Sequence, residues 1–143
     1  MTLHLEKVFS KFKDITESME RLKAFKNIPL EDFLGDRDKQ DIASFRLIVA
    51  TEAAIDLCLH ISAKKLGKVA EEYAACFALL ADEGLIDRAL ASRLGRMARF
   101  RNLLVHQYWE IDYARLYKII TGSDMDDLQA YVRQVSLLVE RHQ

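Results

Sequence analysis

The sequence predicts an all-α protein, folded as an antiparallel up-and-down helical bundle. Three observations lead there. Apolar residues recur three and four apart along most of the chain, and no stretch alternates with the period of two that a strand needs. Proline occurs once in 143 residues, so little interrupts a helix. The breaks between periodic segments are brief, and short connections join antiparallel neighbours.

Each element is justified by its own residues. The first helix is expected over Thr2 to Lys26, where Leu5, Val8, Phe12, Ile15, Met19 and Leu22 make one apolar stripe. Asn27-Ile28-Pro29 ends it, and a short polar loop runs through Gly35. Asp38 with Asp41 resembles a capping arrangement for the second helix. That helix carries Ile42, Phe45, Ile48, Val49, Ile55 and Leu59, a surface broad enough for a central position, and ends near Gly67. The third helix sets Val69, Tyr73, Cys76, Phe77 and Leu80 on one side and stops at Gly84. Asp87 is placed to cap the fourth helix and Asp112 the segment from Tyr113 onward. Thr121-Gly122-Ser123 breaks that segment. Ser123 with Asp126 opens the last helix, with Leu128, Tyr131, Val132, Val135 and Leu138 on its stripe.

Composition bounds the function. Half the residues are hydrophobic, which suits one globular domain over residues 1–143 with a real core. The net charge of -1 argues against a large non-specific nucleic-acid binder, leaves room for a local basic site and tolerates self-association. The 2 cysteines, Cys58 and Cys76, sit in apolar helical patterns and read as buried thiols. No Cys-x-x-Cys or Cys/His ligand spacing occurs, so neither a metal nor a cofactor is expected. The amino terminus alternates charged and apolar residues, unlike a signal peptide, and no apolar run is long enough to span a bilayer. The expected location is the cytoplasm, with no membrane association.

The chemistry concentrates in Arg101-Asn102-Leu103-Leu104-Val105-His106-Gln107-Tyr108, at the end of the fourth helix. Arginine offers a fixed charge and a planar fork of donors suited to phosphate. Histidine passes protons near neutral pH. Together they are minimal equipment for cutting a phosphodiester without a metal. On a helical wheel Arg101 falls inside the apolar stripe of Leu90, Leu94, Met97, Leu104 and Val105, and so does Tyr108. A buried charge there needs an anion, a carboxylate or a wet cleft. His106 lies elsewhere, near Arg88, Arg99 and Asn102, and diverges from Arg101 by roughly 140°. The two converge only if the helix loosens, the arginine bends round or a second subunit contributes. Asn102 shares a face with His106 and could orient its ring. Set against this is the plainer reading, in which Arg101 makes a structural ion pair, His106 meets the helix dipole and Tyr108 packs in the core.

This stretch, extended from Met97 to Asp112, resembles the HEPN superfamily and specifically the HepT-like ribonuclease toxins, which carry Arg-x-x-x-x-His-x-Tyr with a polar residue after the arginine. Ala50-Thr51-Glu52-Ala53-Ala54-Ile55-Asp56-Leu57 and Ala81-Asp82-Glu83-Gly84-Leu85-Ile86 are similar to the family too, so the resemblance covers most of the chain. It implies a HEPN-like bundle forming a homodimer with two motif copies around a cleft. It further implies the toxin of a type VII-like toxin–antitoxin system, a metal-independent endoribonuclease acting on RNA through 2'-hydroxyl attack. Arg101 and His106 would be catalytic and Asn102 supporting. The partner would be a minimal nucleotidyltransferase antitoxin that attaches AMP to Tyr108. The alternative is a non-catalytic HEPN binding subunit of a nucleotidyltransferase, and a third reading is a purely structural dimerisation module.

Two further groups bear on the site. Arg88, Arg93, Arg96, Arg99 and Arg101 cluster on one helix, either as an approach for a phosphate backbone or as a solvated face paired with acids elsewhere. Glu52, Asp56 and His60 form a ladder four residues apart, read as pairing for Arg101 or support for the cleft in preference to a metal site. His4 and His142 lie near the termini without an expected role. Trp109 is expected to pack on the bundle or the dimer partner.

Overall fold

Among residues 3–141, which the computed structural model describes, seven α-helices succeed one another and no strand occurs. They are α1 (Leu5–Lys23), α2 (Leu30–Leu34), α3 (Arg37–Ile61), α4 (Tyr73–Asp82), α5 (Arg88–His106), α6 (Tyr113–Thr121) and α7 (Asp124–Arg141). Thr2, the expected start of the first helix, and His142 lie outside the described residues.

The stripe of α1 works as its spacing predicts. Val8, Ile15 and Leu22 are wholly buried, while Leu5, Phe12 and Met19 pack at the margin. Each fully buried residue of this size contributes about 1.5–3 kcal/mol of transfer free energy. The helix runs antiparallel to α3, since His4 meets His60 at one end and Lys11 pairs with Asp56 at 3.1 Å farther along. Its α-helical part stops at Lys23 and a 3-10 turn over Ala24–Asn27 replaces the expected last turn.

The loop expected through Gly35 contains α2, a short helix that buries Phe33 against Phe25 and Tyr117. One buried aromatic, with Pro29 preceding the helix, is enough to fold a segment whose own pattern is too short to read. The cap of α3 also differs from expectation. Asp36, not Asp38, accepts the Lys39 backbone N–H at 3.1 Å. Gly35 ends α2 one residue earlier, so Asp36 takes the first extended position before α3.

Helix α3 is the centre of the bundle and touches α1, α2, α4, α5 and α6. Leu47, Ala50, Ala54, Leu57, Cys58 and Ile61 are all buried, but Ile42 and Phe45, expected on its apolar face, are more than half exposed. The end near Gly67 is as read. A π-helical turn, Ser62–Leu66, extends α3, and Gly67 closes it at φ 64°, a left-handed conformation that costs glycine little.

Val69, expected on the third helix, is 85% exposed and lies before α4, which begins only at Tyr73. Beyond it Cys76, Phe77 and Leu80 bury as predicted, and Gly84 adopts φ 72° at the stop. Cys58 and Cys76 are both buried free thiols, as expected, and burial pushes the Cys58 thiol strongly upward. Helices α4 and α5 form a tight antiparallel pair. Arg88 reaches Asp82 at 2.8 Å across the turn, and at Gly95 an added Cβ would lie 3.4 Å from the Ala74 Cβ.

Helix α7 closes the bundle against α5, with Arg93 on Asp127 at 2.9 Å and Asp87 bonded to Gln134. Asp87 does occupy the cap position of α5, but its carboxylate accepts from Gln134 in place of the first-turn amides. Asp112 caps α6 directly, accepting from the Ala114 and Arg115 amides at 3.0 and 3.3 Å. At the start of α7 the Ser123 backbone carbonyl accepts the Asp126 amide at 3.0 Å. Tyr131 is fully buried and donates to the Ala54 carbonyl at 3.0 Å, tying α7 to α3. No helix among the described residues is long and apolar enough to cross a membrane.

Candidate functional site

Arg101 sits on the inward face of α5, between the buried Met97 and Leu104, as the wheel places it. The fold resolves the cost of that charge with a carboxylate. The Arg101 guanidinium hydrogen-bonds to Glu52 of α3, one member of the polar ladder. A second arm donates to the Asn102 Oδ1 at 2.9 Å. The guanidinium carbon lies 6.0 Å from the centroid of the Tyr73 ring, within cation–π range. The Arg101 Nε is buried and has no partner among the described residues. The guanidinium is thus fixed at both terminal nitrogens, with its Nε sealed from solvent.

Asn102 therefore turns its amide oxygen to Arg101, and no hydrogen bond joins it to His106. His106 is the last residue of α5, exposed, with no side-chain hydrogen bond or ion pair among the described residues. The structure gathers Glu52, Tyr73, Arg101 and Asn102 and leaves His106 apart. A regular helix keeps the two motif residues apart, and α5 stays regular to His106.

Tyr108 corrects the wheel. Helix α5 ends at His106, and Tyr108–Glu110 form a 3-10 turn, so Tyr108 leaves the apolar stripe and is 65% exposed. The helix ends because Gln107 takes a non-helical backbone, φ -135° and ψ 44°. Of the two placements expected for Trp109, the one on the bundle does not occur. The residue is 68% exposed within the chain and stacks edge-on with Tyr108, centroids 5.3 Å apart. Tyr108 thus presents its hydroxyl on an open turn next to the motif.

The rest of the ladder is divided. Asp56 pairs with Lys11, and His60 accepts the His4 backbone N–H on Nε2 at 3.1 Å. Burial, then the neighbouring charges of Lys7, His4 and Lys64, push the His60 pKa below its ordinary value. No group of three or more His, Cys, Asp or Glu side chains among the described residues is placed to hold a metal ion. Tyr73, which periodicity places on the apolar side of its helix, is the site residue that the sequence does not link to Arg101. The signal for it is the small-residue spacing Ala74, Ala78 against Ala91, Gly95, which lets α4 lie close along α5 and brings its first residue to Arg101.

Comparison with known proteins places the chain in a family. The family model described as ribonuclease HepT-like matches residues 15–135. The chain is 34% identical over 119 residues to the tRNA nuclease HepT of Aphanizomenon flos-aquae, covering 82% of this chain and 80% of that protein. It is 27% identical over 100 residues to the mRNA nuclease HepT of Shewanella oneidensis, covering 70% and 74%. Among solved structures, the tri-AMPylated Shewanella oneidensis HEPN toxin in complex with an MNT antitoxin superposes with a TM-score of 0.84 at 23% identity, covering 92% of this chain and 97% of that one. A toxin–antitoxin structure with AMP-PNP gives a TM-score of 0.85 at 22% identity, with 92% and 98% coverage. These two neighbours share the helical fold of this chain, and the family model spans both Glu52 and the whole motif. With the motif arginine seated on α5 and the histidine at its end, the chain belongs to the HepT-like ribonuclease family.

Proposed function

We propose that this protein is the toxin of a toxin–antitoxin pair and cleaves RNA endonucleolytically without a metal, residues 1–143 forming one HepT-like domain. The observation that carries this reading is the seated arginine: Arg101 is held in one orientation by Glu52 and Asn102, its side chain still partly exposed at the motif, where a phosphate can approach the guanidinium. RNA supplies the nucleophile. The 2'-oxygen attacks the adjacent phosphorus, the 2'-O–P bond forms, and the P–O5' bond breaks. One histidine takes the 2'-hydroxyl proton and another protonates the departing 5'-oxygen. Arg101 stabilises charge on the phosphorane-like transition state. The products are a 2',3'-cyclic phosphate and a 5'-hydroxyl, and no water is consumed.

One chain offers a single motif histidine, set apart from its own Arg101, so a homodimer would supply both proton transfers and bring His106 of one chain to Arg101 of the other. Apolar side chains left open on the two site-bearing helices support such pairing: Ile42 and Phe45 on α3, Val105 on α5. Tyr108, exposed beside the motif, is the residue we assign to AMP attachment by a minimal nucleotidyltransferase antitoxin. The added phosphate would bring negative charge and bulk to the site meant for RNA.

The test is cleavage of total cellular RNA by the purified chain in EDTA. Wild type should cut, and His106→Ala and Arg101→Ala should each lose about 10²-fold or more. Loss of wild-type cleavage on chelation overturns the metal-free mechanism. Equal behaviour of all three proteins favours the other reading, a non-catalytic binding subunit of a nucleotidyltransferase.

A further inference from the structure

Ion pairing divides the arginines of α5 into two sets. Arg88 is matched by Asp82, Arg93 by Asp127 and Arg101 by Glu52. Arg96 and Arg99 are exposed, and no ion pair engages either among the described residues. On the helix surface Arg96, Arg99 and His106 fall within about 80° of one another, so the unpaired charges share a strip with the motif histidine.

Helix α6 lies on the other side of Arg96, away from Arg99, which lines the α4–α5 groove. Arg115 and Lys118 face Arg96 across a groove of about 250 Å³ between α5 and α6. Both are exposed and have no ion pair among the described residues. The Arg115 guanidinium lies 4.6 Å over the centroid of the buried Phe100 ring. That contact holds the guanidinium against the groove wall while the residue stays exposed, so its N–H donors can be offered to a phosphate. One carboxylate, Asp124, stands among three cations. The chain as a whole carries a net charge of -1, so this excess of positive charge is local.

We propose that the α5–α6 groove is a second phosphate-binding site, which holds the backbone of single-stranded RNA on its way to His106. The proposal rests on the ribonuclease reading above. Arg96 and His106 are separated by about 15 Å along the helix axis, a reach of a few nucleotides. A single strand would lay its backbone in the groove, with Arg115 and Lys118 gripping successive phosphates. Its role is affinity and register, not the chemical step.

The test uses the full chain carrying His106→Ala, which keeps a labelled single-stranded RNA intact, and measures binding against salt. Adding Arg115→Gln and Lys118→Gln should weaken binding roughly tenfold or more and lower the slope of log affinity on log salt by about 1.4, two cations lost. The charge-preserving pair Arg115→Lys and Lys118→Arg should recover most of the slope. With His106 intact, the Gln pair should raise KM for RNA and leave kcat at saturation unchanged. Unaltered affinity and slope in the Gln pair overturn the proposal. So does a defect confined to binding the nucleotidyltransferase partner, which would make the groove a protein-docking surface. If the unsubstituted chain neither binds nor cleaves RNA, the ribonuclease reading falls and the groove's role falls with it.

Discussion

Glu52 decides what Arg101 can do. A guanidinium on the inward face of a helix would be costly alone, and the carboxylate four residues up the ladder from Asp56 makes the position tenable. Glu52 also competes with any incoming phosphate for the same charge. His60, on the same ladder, is a titration point with structural consequences. The fold holds it neutral, chiefly by burial, with Nε2 accepting the His4 amide. Its folded pKa lies below that of the unfolded chain, so unfolding takes up a proton as pH falls through the histidine range. Stability should therefore be full above about pH 6.5 and decline below it, until the folded pKa is also passed. Replacing His60 by Gln should flatten this part of the profile, read as the midpoint of thermal unfolding at stepped pH. A parallel decline in both proteins would assign the effect to other groups. Tyr108 gives the second prediction at this scale. Tyr108→Phe should stay toxic when the nucleotidyltransferase is co-expressed, since the acceptor hydroxyl is gone. Full neutralisation would mean that binding alone silences the toxin.

At the scale of elements, the ends matter more than the middles. The α5 terminus at His106 converts Tyr108 from a stripe residue to an exposed one, and the Asp112 cap fixes where α6 begins. Asp112 accepts two first-turn amides of α6, and its removal to Ala should cost about 1 kcal/mol in denaturant unfolding. Because Arg115 supplies one of those two amides, the same variant should weaken RNA binding in proportion to the fraying of the first turn. The α4–α5 pair depends on close approach in a different way. Leucine at Gly95 would extend beyond a Cβ already 3.4 Å from Ala74 and push the helices apart, costing roughly 1–3 kcal/mol. It should also disturb Arg101, whose ring neighbour Tyr73 rides on α4. A Gly95→Leu protein with unchanged stability would show that the pair tolerates more separation than the contact implies.

At the scale of the whole molecule, the separation of Arg101 from His106 asks for a second chain. Mixing Arg101→Ala with His106→Ala, each inactive alone, should restore a small fraction of cleavage if the arginine of one chain serves the histidine of the other, well below wild type because the mixed dimer keeps one His106 for two proton transfers. Each mixed dimer then holds one intact pair. If both groups act from the same chain, no mixed dimer contains a complete site and cleavage stays lost. Replacing Phe45 by Glu should shift the assembly toward monomer in light scattering and reduce cleavage with it. A variant that remains dimeric would move the interface away from that part of α3.

Sequence alone determined most of the helical order, because burial of one apolar stripe per helix is a local periodic property. It also determined the motif itself and the inward position of Arg101, since a wheel needs only the pitch of a regular helix. It did not reveal α2, where a single buried Phe33 stabilises a segment too short for any period to show. It offered the ladder of Glu52, Asp56 and His60 as pairing for Arg101 without telling which member makes it, and it did not show Asp127 as the partner of Arg93, because those partners lie on helices distant in the chain. That choice left Arg96 and Arg99 without an ion pair among the described residues and set Arg96 across a groove from α6. The placement of Tyr108 was tertiary as well. A wheel continues a helix indefinitely, whereas the chain leaves its helix at Gln107 and puts the tyrosine in the open, because the fold offers no buried surface there for another turn to cover.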